Sequence, residues 1–258
     1  MKLKPLMRGM SVRATAYRFR PTFWALGLTL CVVALTVWLG HWQGERAAYK
    51  LAQRQALEAA RNLPPLSPAE ASRLDTPERF RAVRGAGRFV GERLWFLDNR
   101  ISQGRAGYAV LQLFEPDVPP DQAGQSPRLI LVDRGWIAVG PDRSRLPSIQ
   151  VPVGPVTIEG RINRPPSRPP GSADNTPGAS LLNYLALEEI ERELGRPLAP
   201  FIVELVGGDG WLGTPPPDPA VRVEHHYAYQ LQWYALALLA VILFFVFSIR
   251  RVETDRAS

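Results

Sequence analysis

The three histidines of the chain carry its clearest potential for chemistry, because they lie at the ends of two apolar stretches. His41 lies near the end of the first stretch, and His225 and His226 begin the second. A neutral imidazole is a good axial ligand for haem iron and a common ligand for other metals. Histidine also ends membrane spans without binding anything, so a haem ligand and a simple interfacial residue both stay open. A dedicated zinc site is a weaker alternative.

Two stripes of aromatic and basic residues at helical spacing flank these histidines. One stripe consists of His226, Tyr229 and Trp233, and the other consists of Trp38, Trp42, Arg46 and Lys50. Residues three or four positions apart share one face of a helix. The first stripe could pack against a neighbouring helix or line a pocket for a planar cofactor. The two cations could contact phospholipid headgroups or the propionates of a haem.

The elements that must position these residues are two membrane spans. Residues 21–44 and 225–249 contain no Asp, Glu, Lys or Arg. At about 1.5 Å of rise per residue, such stretches reach about 36 Å and can cross a hydrocarbon core of about 30 Å. We expect transmembrane helices at 21–42 and 226–249. The first is expected to be a retained anchor, because no small-residue cleavage site follows its apolar core.

Basic residues predict the orientation of the spans. Residues 1–20 carry six Lys or Arg and no acid, and Arg250 and Arg251 follow the second span. The positive-inside rule therefore predicts cytoplasmic tails at 1–20 and 250–258 and a translocated domain at 43–225. The formal net charge of +7 follows from this topology and gives no support for nucleic-acid binding.

The region between the spans has the pattern of a β-rich domain. Good helix formers from Glu45 to Leu63 extend the first span until Pro64-Pro65. Strand-like runs follow at Phe80–Val90, Leu94–Asn99, Tyr108–Phe114, Leu129–Val139, Val156–Ile162 and Phe201–Val206, with one helix near Ala186–Leu194. We therefore expect an α+β membrane protein whose two transmembrane helices flank a translocated antiparallel β-sheet or small barrel.

Catalytic signatures are missing from the sequence. It contains no phosphate loop, G-x-S-x-G or H-E-x-x-H motif, and Cys31 is the single cysteine, so no intramolecular disulfide can form. The run Asp133-Arg134-Gly135-Trp136 follows an apolar strand, where Arg134 could be salt-bridged at a turn or could face the membrane or a partner. No catalytic residue is predicted.

Three motifs in register with the two spans resemble the surfeit-locus-one (Surf-one, Shy-one) family of cytochrome c oxidase assembly factors. They are Leu39-Gly40-x-Trp42-Gln43-x-x-Arg46-x-x-x-Lys50, Val132-x-Arg134-Gly135-Trp136 and His226-x-x-Tyr229-x-x-x-Trp233-Tyr234. The likeness covers nearly the whole chain in order. It implies a protein of the bacterial inner (cytoplasmic) membrane that assembles a haem-copper oxidase and is not an enzyme.

The resemblance also implies a cofactor and its ligands. The family binds haem a and presents it to the catalytic subunit, and its ligand histidine falls on His226. Tyr229 and Trp233 would then line the site, with Trp42 packed across from them. Arg46, Lys50 and Arg134 would contact propionates or a partner. A second axial ligand could come from His41 or His225, or be absent.

The implied partners are oxidase subunit I, the machinery of haem a synthesis and the lipid bilayer. The main alternative is a cofactor-free membrane scaffold that stabilises intermediates of oxidase assembly. That alternative shares every sequence feature except the need for His226.

Overall fold

The computed structural model describes residues 14–118, 127–143, 145–217 and 223–254. They form two compact units. The first unit comprises the described residues up to Leu51 and those from Val223 onward, and the second extends from Ala52 to Pro217.

Two helices dominate the first unit. Helix α1 covers Phe23–Arg61, and helix α4 covers Val223–Ser248. The most apolar 18-residue windows of α1 and α4 have mean hydropathies of 2.0 and 2.2, and only 11 % of each window is buried. Apolar side chains that face outward along a whole helix indicate contact with lipid, so the two helices indicate a membrane protein. With 39 residues, α1 is about 58 Å long, and the prediction that it continues beyond the span is confirmed.

A short two-stranded ribbon pairs the segment before α1 with the segment after α4. Strand β1 (Ala14–Phe19) pairs antiparallel with β9 (Ile249–Thr254), and Arg18 lies opposite Arg250. The backbone NH of Arg20 donates to Ser248 O at 2.7 Å and continues the ladder to the end of α4. Only basic tails were expected here from the sequence, and the ribbon was not predicted.

The second unit is built around a closed five-stranded barrel. Its strands are β2 (Ala82–Phe89), β4 (Arg105–Pro116), β5 (Leu129–Ala138), β6 (Val156–Asn163) and β8 (Leu198–Gly208). They pair in the order β2-β6-β8-β5-β4, and a further pairing of β2 with β4 closes the barrel. The expectation of an α+β membrane protein with a small barrel is confirmed. One pairing in the barrel, β5 with β8, is parallel instead of antiparallel.

Buried apolar side chains alternate with more exposed ones along the strands, and the buried ones fill the barrel. Val156, Ile158 and Ile162 of β6 are buried while their neighbours are more exposed, as expected for a strand with one face on a core. Side chains from all five strands and from the short helix α2 (Pro68–Ser72) meet in one cluster, which includes Val83, Phe114, Ile130, Val132, Ile158 and Val203.

Further elements cover one outer side of the barrel. Strand β3 (Trp95–Ser102) pairs with β4, and the two-residue strand β7 (Leu181–Leu182) pairs with β3. Helix α3 (Leu187–Leu194) packs Leu187 and Ile190 into a second apolar cluster and ends at Gly195, whose φ is +63°. Helix α2 (Pro68–Ser72) begins with a reciprocal cap between Ser67 and Glu70. All six predicted strands and the helix near Ala186–Leu194 are confirmed.

Candidate functional site

A hydrogen bond between α1 and α4 marks the candidate site. Nδ1 of His226 lies 2.8 Å from Oε1 of Gln43, and the bond is partly buried. Gln43 is one residue before the end of the charge-free stretch 21–44, and His226 is in the first turn of α4. The two residues therefore meet where the charge-free segments of both helices end.

This bond determines which ring nitrogen of a neutral His226 carries the proton. A glutamine Oε1 only accepts hydrogen bonds, so Nδ1 of a neutral imidazole must carry the proton. Nε2 then keeps its lone pair, and no described residue hydrogen-bonds to it. A ring whose Nδ1–H donates to a carbonyl while Nε2 stays open is the usual arrangement of a metal-ligating histidine.

Two glycines let the helices approach closely beside this bond. A Cβ added to Gly40 would lie 2.5 Å from Cε1 of Tyr234, and one added to Gly44 would lie 2.4 Å from Nε2 of Gln230. Real Cβ atoms do not make contacts this short, so a larger residue at position 40 would displace the Tyr234 ring, and one at position 44 would displace the flexible Gln230 side chain. Small residues at helix contacts in membranes allow such close approach.

The predicted cations lie on the same part of α1. The guanidinium of Arg46 lies 5.8 Å from the centre of the Trp42 ring, within the range of a cation–π contact. Lys50 and Arg46 both lie within electrostatic range of the His226 imidazole. The structure thus brings Arg46, Lys50 and His226 together in one unit.

The predicted aromatic residues are less uniformly arranged. Trp233 is partly buried and shares the inner face of α4 with His226 and Ala237, whereas Tyr229 is 51 % exposed at the edge of that face. Trp42 is 43 % exposed. A wall formed by Tyr229, Trp233 and Trp42 therefore stays a prediction, with Trp233 the best placed of the three.

The other two histidines lie in more exposed places. Nε2 of His41 is 3.4 Å from Glu45 Oε1 in an i, i+4 pair, and both side chains are about 70 % exposed. His225 is exposed next to His226. A second axial ligand from either of them stays open. The pairing of His41 with Glu45 was not predicted, although their i, i+4 spacing on a helix indicates it.

Arg134 lies in the second unit and faces the inside of the barrel. It is 2 % exposed, and it donates to Gly210 O at 2.7 Å, Gln112 Oε1 at 2.9 Å and Gln150 O at 3.0 Å. No described carboxylate pairs with it, and burial lowers the pKa of its guanidinium. Internal hydrogen bonds therefore account for this residue, and its contact with a propionate or a partner stays a prediction.

Asp133 lies on the opposite face of the same strand. Burial, reinforced by the nearby Glu204 carboxylate, raises the pKa of Asp133 to about 7, although Arg100 and a hydrogen bond from the Gly135 NH at 2.9 Å act against the rise. Glu204 itself accepts hydrogen bonds from Arg161 at 2.9 Å and Asn163 at 2.7 Å. The raised pKa of Asp133 was not expected from the sequence, because it results from burial and from neighbours that only the fold brings together.

The fold and the site together define a class of protein. Two apolar helices accompany a closed barrel, and the described residues hold no cluster of three or more His, Cys, Asp or Glu side chains able to bind a metal. This is a two-span membrane protein with a small barrel domain and a histidine, His226, that is hydrogen-bonded between its two apolar helices.

The particular family follows from the sequence profile. Residues 30–238 match the SURF1 family, and the chain therefore belongs to it. The family is known for the assembly of cytochrome oxidase and is not a catalytic family. No curated protein matches the chain.

Proposed function

We propose that this protein binds haem a through His226 and assists its insertion into the catalytic subunit I of a haem-copper oxidase. The hydrogen bond from His226 Nδ1 to Gln43 Oε1 carries the proposal, because it leaves Nε2 prepared for iron. Membership of the family supports the role in oxidase assembly, and the imidazole and cationic side chains of the site support haem as the cofactor.

The residues around His226 fit the chemistry of a haem. Haem iron is a Lewis acid that accepts an imidazole nitrogen as an axial ligand. The cationic side chains of Arg46 and Lys50 would neutralise the two propionates, and Trp233 would contact the porphyrin. Tyr229 and Trp42 complete the proposed surroundings. Gln43 joins them as the residue that fixes the imidazole.

The proposal includes the setting of the site. The protein would lie in the bacterial inner membrane with both termini in the cytoplasm and residues 43–225 translocated. Haem a would be received from the machinery that synthesises it and passed on without chemical turnover. The position of Gln43 and His226 at the ends of the charge-free segments supports transfer near the outer face of the membrane.

An absorption spectrum tests the haem assignment. The full chain is purified in mild detergent from cells that make haem a, beside the variants His226→Ala and His225→Ala. We expect the parent and His225→Ala to show a haem a spectrum and His226→Ala to lose it. The control matters because His225 is the exposed neighbour of His226 on the same helix.

The same experiment separates the two candidate roles. Full haem a in the His226→Ala variant would overturn the ligand assignment. Absence of haem from all three proteins, together with co-purified oxidase subunits, would favour the cofactor-free scaffold.

A further inference from the structure

The ribbon formed by β1 and β9 concentrates positive charge on one of its faces. Arg18 lies directly opposite Arg250, and Arg20 is two residues from Arg18. Side chains two positions apart on a strand point to the same face, and directly opposite residues have Cβ atoms about 5 Å apart. Arg18 and Arg250 therefore share one face of the ribbon, and Arg20 follows directly after β1, where its NH bonds to Ser248 O.

This arrangement is unfavourable unless an anion accompanies it. Like charges directly opposite each other destabilise an antiparallel pair. All three arginines are exposed, and no side chain in the described part of the protein forms an ion pair or hydrogen bond with their guanidinium groups. The strands nevertheless pair over six positions, from Ala14 with Thr254 to Phe19 with Ile249.

The ribbon is held at the boundary of the spans. Phe19 packs on Phe244 and Phe245 of α4, with ring centres 6.3 and 5.9 Å apart. Helix α1 begins at Phe23, and α4 ends at Ser248 beside Arg20. The arginine face therefore lies at the depth of the lipid headgroups, whichever way the protein crosses the membrane.

We propose that Arg18, Arg20 and Arg250 bind the phosphate of an anionic membrane phospholipid. Guanidinium groups bind phosphate oxygens with paired hydrogen bonds, and each cation near an anionic surface adds to the attraction. The bound phosphate removes the repulsion between Arg18 and Arg250 and stabilises the pairing of β1 with β9. It thereby fixes the start of α1 relative to the end of α4.

Native mass spectrometry of the full chain in neutral detergent measures the binding. The probes are phosphatidylglycerol and phosphatidylcholine of identical acyl chains. We expect the parent to retain phosphatidylglycerol preferentially. The double variant Arg18→Gln, Arg250→Gln should bind it at least tenfold more weakly, since each arginine contributes about fivefold.

Matched variants separate the site from total charge and from misfolding. Arg84→Gln with Arg105→Gln removes the same charge from exposed positions of the barrel unit and should leave lipid retention unchanged. Arg18→Lys with Arg250→Lys keeps the charge and should retain most of the binding. Arg18→Glu places a carboxylate opposite Arg250, so this variant should keep the ribbon paired and lose phosphatidylglycerol.

The outcomes decide between lipid and soluble phosphate. Equal retention of phosphatidylcholine, or full phosphatidylglycerol retention by the Gln double variant, would overturn the proposal. Inorganic phosphate is added at constant ionic strength as a competitor. Displacement of phosphatidylglycerol by millimolar phosphate would identify a soluble anion as the ligand and reject the lipid.

Discussion

Gln43 and His226 are separated by 183 positions in sequence, yet their side chains form a 2.8 Å hydrogen bond between α1 and α4. The bond links the motif at the exit of the first span to the motif that opens the second. It gives Gln43 a specific task, which is to hold the proton on Nδ1 of His226. An apolar residue at position 43 removes the hydrogen-bond acceptor and a carboxylate strengthens it, so variants at this position can test the role of Gln43.

Replacement of Gln43 should weaken haem binding without removing the ligand. In Gln43→Leu the Nδ1–H loses its acceptor, and the ring is no longer fixed with Nε2 open. Residues that orient a ligating histidine commonly contribute 10- to 100-fold to affinity, so we expect a loss of at least about tenfold. Haem titration of the purified apoprotein, followed by absorbance, measures it.

Gln43→Glu provides the complementary variant. A carboxylate is a stronger acceptor for Nδ1–H and makes the imidazole a stronger donor to iron. Binding should persist, and the reduction potential of the bound haem should fall in a spectroelectrochemical titration. An unchanged affinity in Gln43→Leu together with an unchanged potential in Gln43→Glu would show that Gln43 does not position His226.

A large side chain at position 40 should disturb the contact between α1 and α4. The Gly40→Leu side chain would collide with Tyr234, whereas Gly27→Leu on the same helix meets nothing within 4 Å. Overpacking costs about 1–3 kcal/mol, so the thermal unfolding midpoint in detergent should fall for Gly40→Leu and stay near the parent value for Gly27→Leu. Similar midpoints for the two variants would contradict the close approach of α1 and α4.

Arg134→Lys should destabilise the protein although it keeps the charge. Lysine lacks the planar fork that reaches Gln112, Gly210 and Gln150 together, so at least one buried acceptor loses its partner. We expect a loss of about 1–3 kcal/mol in chemical denaturation, against almost none for the exposed Arg105→Lys. If Arg134 acted mainly as a surface cation for a propionate or a partner, the lysine variant would keep normal stability.

Asp133 should make stability depend on pH between about 4 and 7. The unfolded carboxyl ionises near 3.8, and the folded one keeps its proton until about pH 7, so the folded state binds more protons in this window. The contribution of Asp133 to stability is therefore full below pH 4 and is lost as the pH rises to 7, by at most about 1.4 kcal/mol per pH unit.

Asp133→Asn removes this titration and keeps an oxygen for the Gly135 NH. We expect the variant to gain stability over the parent at pH 8 and to show a flatter profile between pH 4 and 7. Denaturant unfolding at several pH values measures both effects. A profile as steep as that of the parent would assign the pH dependence to other groups.

The sequence by itself determined the elements of this protein. Charge-free stretches of 24 and 25 residues defined both membrane helices, because length and hydropathy alone limit what can cross a bilayer. Alternation of apolar residues and the Pro/Gly loops between them located six strands, since side chains on a strand change face at every residue. His226 was singled out by the rarity of histidine and by its place in a motif.

Only the tertiary structure decided which residues meet. The closure of β2 on β4, the parallel pairing of β5 with β8 and the ribbon of β1 with β9 join segments far apart in sequence, and local patterns do not encode such contacts. The same holds for side chains. Arg134 was expected either in a salt bridge at a turn or facing the membrane or a partner. It lies inside the barrel without a described carboxylate partner, since the register of β5 sets the face it occupies. The partnership of Gln43 with His226 likewise depends on the antiparallel packing of two helices at opposite ends of the chain.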